Sequence, residues 1–251
     1  MGIETDDDAA LAADLAEAAG RLLLDLRASG DGSNTARGAA GDRAANRFLV
    51  DALRSARPED GLLSEEMRCD GSRLSRARTW IVDPVDGTRE YGEGRADWAV
   101  HVGLAIDGVA RVGAVALPAE GLVFRSDRVQ PLAPPAGTPR MVVSRSRAAP
   151  QVMAVAEALG AAVMPMGSAG AKAMAVVRGA ADIYLHLGGQ YEWDSAAPVA
   201  VAAAQGLHCS RADGAELRYN AADLYLPDLL ICRREWAKPV IAALAEATRG
   251  T

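Results

Sequence analysis

Residues Trp80-Ile81-Val82-Asp83-Pro84-Val85-Asp86-Gly87-Thr88 end an apolar run in two carboxylates three residues apart, followed by a Gly-Thr pair. Trp80 to Val82 reads as a buried strand, and Pro84 with Gly87 reads as a sharp turn leaving it. Two acids crowded into one turn repel each other unless a cation neutralises them. Ligation by oxygen alone suits Mg²⁺, which keeps several waters and shares its shell with a phosphate. The amides of Gly87 and Thr88 could meet that phosphate, because backbone N–H groups in turns make anion sites. The chemistry these residue types support is metal-dependent attack on a phosphoester.

Further residues could join such a site. Glu65 and Glu66 follow the short apolar run Leu62-Leu63, which places Glu65 where the end of a neighbouring strand would face Asp83. In Glu192-Trp193-Asp194-Ser195-Ala196-Ala197, Asp194 reads as the N-cap of a helix that can still turn its second oxygen toward a metal. Gly167-Ser168-Ala169-Gly170-Ala171-Lys172 is a small-residue turn entering a helix, where free N–H groups and the dipole favour phosphate, although tight packing explains it equally. Ser144-Arg145-Ser146-Arg147 follows a strand and reads either as a basic surface loop or as a guanidinium clamp for a second phosphate. Of the three histidines, His101 sits mid-strand as a core residue and His186 lies near the Asp194 segment. No nucleophile elbow is present, and no cysteine has a base beside it. The Asp-Gly-Thr triplet differs from the D-x-D-G-T run of phospho-aspartate phosphatases, because Pro84-Val85 set the first acid one residue too far upstream.

The elements that must position these residues can be read from periodicity. A helix is predicted over Ala9 to Arg27, a loop over Ser29 to Thr35 and a second helix over Gly41 to Ser55. Strands are predicted at Leu62-Leu63, Trp80 to Val82, Trp98 to Ile106, Val109 to Leu117 and Leu122 to Arg125. Pro131 to Pro139 shifts to Pro, Ala, Gly and Thr and reads as a linker. Beyond it come strand Met141 to Val143, helix Ala149 to Leu159, strand Ala162 to Met166, a helix ending at Arg178, strand Ala181 to Leu187 and a helix from Asp194 to Gln205. The first part is α+β, and the second alternates strand and helix.

At 251 residues, half of them apolar, the chain has length for a real core in one domain or two modest ones. A net charge of −6 argues against a surface built to hold a nucleic-acid polymer. It leaves room for a small anionic substrate, since bound cations invert the local field. Met1 to Ala13 is acidic and lacks the pattern of a signal peptide, and no run reaches the ~18 apolar residues of a membrane span. Cys69, Cys209 and Cys232 are odd in number and widely spaced, which fits reduced thiols in the cytoplasm.

Together these pieces resemble the inositol monophosphatase superfamily of Mg²⁺-dependent, lithium-sensitive phosphatases. Its marks are a Glu-Glu pair after a strand, D-P-[ILV]-D-G-T, and a late Trp-Asp followed by small residues; Glu65-Glu66, Asp83 to Thr88 and Trp193-Asp194 supply them in order. Within the superfamily the chain looks most like the CysQ-type 3′(2′),5′-bisphosphate nucleotidases, in an actinobacterial-looking branch that also accepts sugar phosphates. Thr88-Arg89-Glu90-Tyr91 is close to the K-E-F continuation of that type, and Ser144-Arg145-Ser146 to its S-R-S-H stretch, with Arg147 replacing the histidine. Lys172 lies one residue later than in the usual G-S-x-x-K pattern.

The resemblance implies an α/β fold, a layered αβαβα sandwich of the sugar-phosphatase type, in two subdomains. Residues 1–134 would carry most metal ligands, and residues 135–251 would complete the site and bind substrate. It implies two or three Mg²⁺ per site, one held by Glu65, Asp83 and the Val85 carbonyl, another by Asp83, Asp86 and Asp194. Asp42, pairing with Thr88, would act with Glu65 to orient and activate the attacking water. Gly87, Thr88, Ser144, Arg145, Gly167, Ser168, Lys172 and Asp194 would contact the substrate. The implied reaction removes the 3′-phosphate of 3′-phosphoadenosine 5′-phosphate (PAP), giving AMP and phosphate, with PAPS as a further substrate. Inositol 1-phosphate and fructose 1,6-bisphosphate are the alternatives within the superfamily, and a non-catalytic phosphometabolite sensor is the alternative outside catalysis. The partners implied are a small phosphorylated substrate and a second copy in a homodimer, with neither a nucleic-acid polymer nor a membrane.

Overall fold

The computed structural model describes residues 2–29, 33–68, 71–132, 134, 137–146 and 148–249. The expectations for Cys69 and Arg147, and parts of the Ser29–Thr35 loop and the Pro131–Pro139 linker, lie outside the described residues.

Two helices lead the chain, α1 (Gly2–Ser29) and α2 (Asn34–Ala56). The second begins at Asn34 rather than near Gly41 because Ser33 caps it, its Oγ accepting the Ala36 N–H at 3.3 Å. Five strands follow: β1 (Gly61–Ser64), β2 (Arg78–Asp86), β3 (Ala99–Ile106), β4 (Val109–Leu117) and β5 (Leu122–Arg125). A short helix α3 (Thr88–Gly92) joins β2 to β3. These strands form one sheet in sequence order, with β1 parallel to β2 and the other pairs antiparallel.

The second sheet contains β6 (Arg140–Ser144), β7 (Ala162–Met166), β8 (Ile183–Tyr191), β9 (His208–Ser210) and β10 (Tyr225–Cys232). Its order is β7-β6-β8-β10-β9, parallel on the β7 side and antiparallel on the β9 side. The helices of this half are α4 (Pro150–Ala158), α5 (Ala169–Val177), α6 (Glu192–Ala204) and α7 (Arg234–Arg249). Beyond the elements expected from periodicity, which end at Gln205, the chain adds β9, β10 and α7.

The layers run α1 and α2, first sheet, α5 and α6, second sheet, α4 and α7. Alternation along each strand divides its side chains between two cores. Trp80 and Val82 face α1 and α2 while Ile81 faces the middle helices. Val142 likewise joins the middle core while Met141 and Val143 pack toward α4 and α7. With both faces covered, these strands read as apolar runs rather than alternating ones.

Two local features set the position of the acidic residues. First, β2 does not turn at Pro84. It continues to Asp86 with one extra residue, because Asp83 pairs with His101 while Asp86 pairs with Ala99. Proline is tolerated there because β1 pairing has already ended at Val82 and a bulge needs no ladder donor. The turn comes at Gly87, whose φ of 88° lies in the left-handed region that favours glycine.

Second, α6 approaches the first sheet very closely. Gly103 and Gly113 are register partners on β3 and β4, and a Cβ on either would collide with the α6 backbone at Ala197. This flat glycine-alanine contact lets the start of α6 come down beside the end of β2. Gly113→Ala should therefore push α6 outward, lowering the urea midpoint by an amount equivalent to about 1–3 kcal/mol. An unchanged midpoint would show that the helix does not need this seat.

Candidate active site

Where β2 ends against the start of α6, Asp83, Asp86 and Asp194 converge, with one carboxylate oxygen of each within 4.8 Å of the others. Asp83 Oδ1 accepts the Val85 N–H at 3.0 Å, which fixes its rotamer within the bulge. Asp194 is not the N-cap of α6, as expected from sequence. Tyr191 holds that position, and Asp194, three residues in, reaches back to accept the Tyr191 N–H at 2.7 Å. Glu65 follows β1 directly and lies outside the three-carboxylate cluster, although Asp42, Asp86 and Asp194 all act on its charge. Thr88 Oγ1 stands 2.9 Å from Asp42 Oδ2 and 3.1 Å from the Val85 carbonyl oxygen. Its single proton serves one of them at a time. Asp42 Oδ1 is buried without a hydrogen-bond partner among the described residues.

Crowding of like charges dominates the electrostatics. Burial, then the neighbouring Glu65, Asp86 and Asp194, push Asp83 well above the ordinary carboxyl range. Burial, then Asp42 and Asp194, push Glu65 up to about 7, and burial, with the charge of Glu66, outweighs the Thr88 contact to push Asp42 up to about 7. Asp194 rises to about 6 through burial and the charge of Asp86. Asp86 goes the other way. Burial opposes its charge, but His101, Lys172 and the Gly170 amide together hold it down at about 2. Ala169 N–H and Gly170 N–H donate to its two oxygens at 3.1 and 2.6 Å, so Asp86 sits at the N-terminus of α5. A buried set of oxygen donors that protein groups alone leave over-charged fits a hard divalent cation.

The cavity above this cluster has a volume of about 480 Å³. Gly87, Ser144, Arg145, Gly167, Ser168 and Lys172 all line it, as does Asp194. The expected role of the Gly167–Lys172 turn as an amide cradle for phosphate does not survive, because its donors are already taken. Gly167 N–H donates to Asp97 at 2.7 Å, Ala169 and Gly170 donate to Asp86, and Ala171 donates to Ser168 Oγ at 2.9 Å. Lys172 is buried, its ammonium donates to the Gly167 and Ser168 carbonyls, and burial lowers its pKa to about 8. Arg145 does not stand free as a clamp either. Its guanidinium donates to Glu90 Oε1 at 2.5 Å and lies 3.7 Å from Glu93. The two stretches read separately from sequence, Thr88–Tyr91 and Ser144–Ser146, are therefore joined by an ion pair on the cavity wall.

Sequence reasoning missed three contributors. His101 is in the core as expected, but its Nε2 lies 3.2 Å from Asp86 Oδ2 and its Nδ1 3.0 Å from the Trp193 carbonyl. Burial opposes a charge on the ring, but the Asp86 carboxylate and the Trp193 carbonyl outweigh it and raise the His101 pKa. The available signal was a histidine in an apolar strand adjacent to the acid-bearing one. Gln190 and Tyr225 line the cavity too, on the part of β8 beyond Leu187 and on β10, where the sequence carries no clear strand period. Among the described residues, no helix is long and apolar enough to cross a membrane.

Comparison with known proteins agrees with this geometry. The model of the inositol monophosphatase family matches residues 6–133 and 136–249. A 3′-phosphoadenosine 5′-phosphate phosphatase of Mycobacterium leprae (strain TN) is 49% identical over 254 residues, covering 95% of this chain and 94% of the relative. The 3′(2′),5′-bisphosphate nucleotidase CysQ of Escherichia coli (strain K12) is 32% identical over 199 residues, covering 74% and 81%. Among solved structures, CysQ from Bacteroides thetaiotaomicron superimposes with a TM-score of 0.78 at 25% identity, covering 91% of this chain and 97% of that one. With the family pattern running through both sheets and every helix between them, this chain belongs to the inositol monophosphatase family.

Proposed function

We propose that the chain is a Mg²⁺-dependent phosphomonoesterase that removes the 3′-phosphate of PAP, with PAPS as a further substrate. The observation that carries this reading is the Asp83–Asp86–Asp194 convergence at the floor of the cavity, with the Asp42–Thr88 pair beside it. Relatives named for PAP phosphatase activity at 49–50% identity support the choice of substrate. Glu65, Asp83, Asp86, Asp194 and the Val85 carbonyl would hold two or three ions. When bound, Mg²⁺ supplies charge neutralisation of the phosphoryl oxygens and acidifies a water for attack.

The chain's own groups do the rest. Thr88 Oγ1, held by Asp42 and the Val85 carbonyl, offers lone pairs that orient a water at the cluster's edge. Glu65, at the edge of the cluster on the cavity wall, is placed to accept that water's proton. Gly87 and Gly167 contribute backbone surface to the substrate's seat, and Ser144, Arg145, Ser168 and Lys172 contribute hydroxyls and positive charge. In this reading residues 1–134 carry most of the ligands and residues 135–251 close the site. The compartment is the cytoplasm, in keeping with free thiols at Cys209 and Cys232, and the assembly is a homodimer.

Phosphate release with Mg²⁺ should favour PAP over inositol 1-phosphate by ~100-fold in kcat/KM, a difference of roughly 2.7 kcal/mol. Parity between the two would defeat the nucleotide assignment and leave the metal chemistry standing. Asp83→Asn should reduce kcat on the order of 10³-fold or more, about 4 kcal/mol in the transition state. Because the substitution removes a repelling charge, the melting temperature of the metal-free variant should equal or exceed that of the parent. Near-parental turnover would sink the shared-metal role.

The raised acids also predict how stability follows pH. Asp42 and Glu65 titrate at about 7 and Asp194 at about 6, against ordinary values of 3.8 and 4.5. Such groups cost the fold nothing while protonated in both states and destabilise it as pH rises from the ordinary toward the raised value. His101, also raised, acts in the same direction, while Asp86 at about 2 and Lys172 at about 8 titrate outside this window. In EDTA the melting temperature should fall between about pH 5 and pH 7, and Mg²⁺ should restore it at the upper end. A flat profile in EDTA would count against the crowded-acid picture.

A further inference from the structure

Away from the active site, a cavity of about 280 Å³ opens at the β1 edge of the first sheet. Four arginines line it. Arg54 comes from the last turn of α2, Arg68 from the loop after β1, Arg73 from the single 3₁₀ turn Ser72–Ser75, and Arg76 from the residue just beyond that turn. Among the described residues lining it Asp60 is the one acid, and its oxygens already accept from Arg78 and from the Trp80 indole N–H at 2.9 Å each. Arg76 lies 3.7 Å from the exposed Glu59. Arg54 and Arg68 make no ion pair and no side-chain hydrogen bond among the described residues. Four guanidinium groups around one hollow, in a chain of net charge −6, raise a local positive potential that draws an anion.

Arg73 gives this hollow a fixed wall. It is 2% exposed, and its guanidinium donates to Asn220 Oδ1 at 2.6 Å and to the Ala221 carbonyl at 2.7 Å. It packs so tightly on β1 that a Cβ added at Gly61 would stand 3.0 Å from the Arg73 Cβ. The Asn220 and Ala221 amides donate in turn to the buried Glu192, first residue of α6, at 2.7 and 2.8 Å. A guanidinium pinned in this way loses little freedom when a ligand arrives, while the exposed arginines at the mouth can close on it.

We infer that this cavity is a second anion site, separate from the active site, which takes a free tetrahedral oxyanion, phosphate or sulfate. The forked N–H donors of arginine match the oxygens of such an ion. The volume suits a small ion, since pockets that enclose drug-sized ligands begin at roughly 300 Å³. Arg68 stands three residues beyond Glu65 on the same loop, so an ion held there ties that loop to the end of α2 and to the 3₁₀ turn. The site holds its ion whatever phosphoester the active site hydrolyses.

The test is calorimetric titration of the whole chain in EDTA with phosphate and, separately, with sulfate, against chloride at matched ionic strength. EDTA strips the divalent ions, and without them the acid cluster repels an oxyanion. The parent should bind at least one of the two ions saturably, one per chain, with Kd on the order of 1 mM or tighter, and the tighter binder is the site's ion. Arg54→Gln combined with Arg68→Gln changes two exposed positions and should weaken that binding at least about tenfold. Arg21→Gln, on α1 and outside the cavity, should leave it unchanged. Hydrogen exchange in the same buffers should slow at residues 61–68 of the parent and not of the double variant. Absence of saturable binding of both ions by the parent would overturn the site. So would equal affinity in the double variant, or an equal loss in Arg21→Gln. Slowed exchange confined to residues 83–88 would place the ion in the active site and overturn it as well.

Discussion

Repulsion among carboxylates at the junction of β2 and α6 is the constraint around which the rest of this molecule is arranged. Asp83, Asp86 and Asp194 lie closer together than their charges permit in a protein interior, and Glu65 and Asp42 add to the crowding. At an effective dielectric of ~20, two charges 4 Å apart repel by about 4 kcal/mol, comparable to a large share of a domain's net stability. A fold can hold such a cluster only if the elements bearing it are anchored elsewhere.

That anchoring is visible on both sides. The five-layer stack buries β2 on both faces, so its end cannot move away from α6 without disturbing two cores. On the other side, α6 rests on Gly103 and Gly113, whose missing Cβ atoms let the Ala197 backbone come close to the sheet. The bulge between Asp83 and Asp86 turns both carboxylates to the same region although an offset of three positions along a regular strand would put them on opposite faces. Strain at the acids is thereby transferred to apolar packing, where removing one contact costs little and removing the arrangement costs a great deal.

Much of this was legible in the sequence because its signals are local. The Asp83–Thr88 run, Glu65 after a short strand and Trp193-Asp194 at a helix start each declare themselves within a few residues, and periodicity gives an α+β first part and an alternating second one, while the layering came only from the family resemblance. What escaped was set by long-range contacts. No local rule says that Asp86 would take the N-terminal amides of α5, leaving the Gly167–Lys172 turn without donors for phosphate. Nor does one say that Glu90 would hold Arg145, 55 residues away in sequence. The strand β10 was missed because Pro227 and Asp228 interrupt its apolar pattern, and the register shift at that point is how the structure accommodates them. Polarity of this kind masks a strand from periodicity while leaving its backbone free to pair.

Asp86 has a consequence of a different sort. It is at once a cluster carboxylate, an acceptor for the first amides of α5 and the counter-charge of the buried His101. Three obligations meet on two oxygen atoms, so evolution cannot tune one without the others. A lineage that drifted toward another cation or another phosphoester could vary Glu65, which stands at the rim, or the walls of the cavity. Position 86 would stay frozen, because any change there dislodges a helix and strands a charge in the same stroke. Diversity within such a fold should therefore accumulate at the cavity's margins and fade toward its floor.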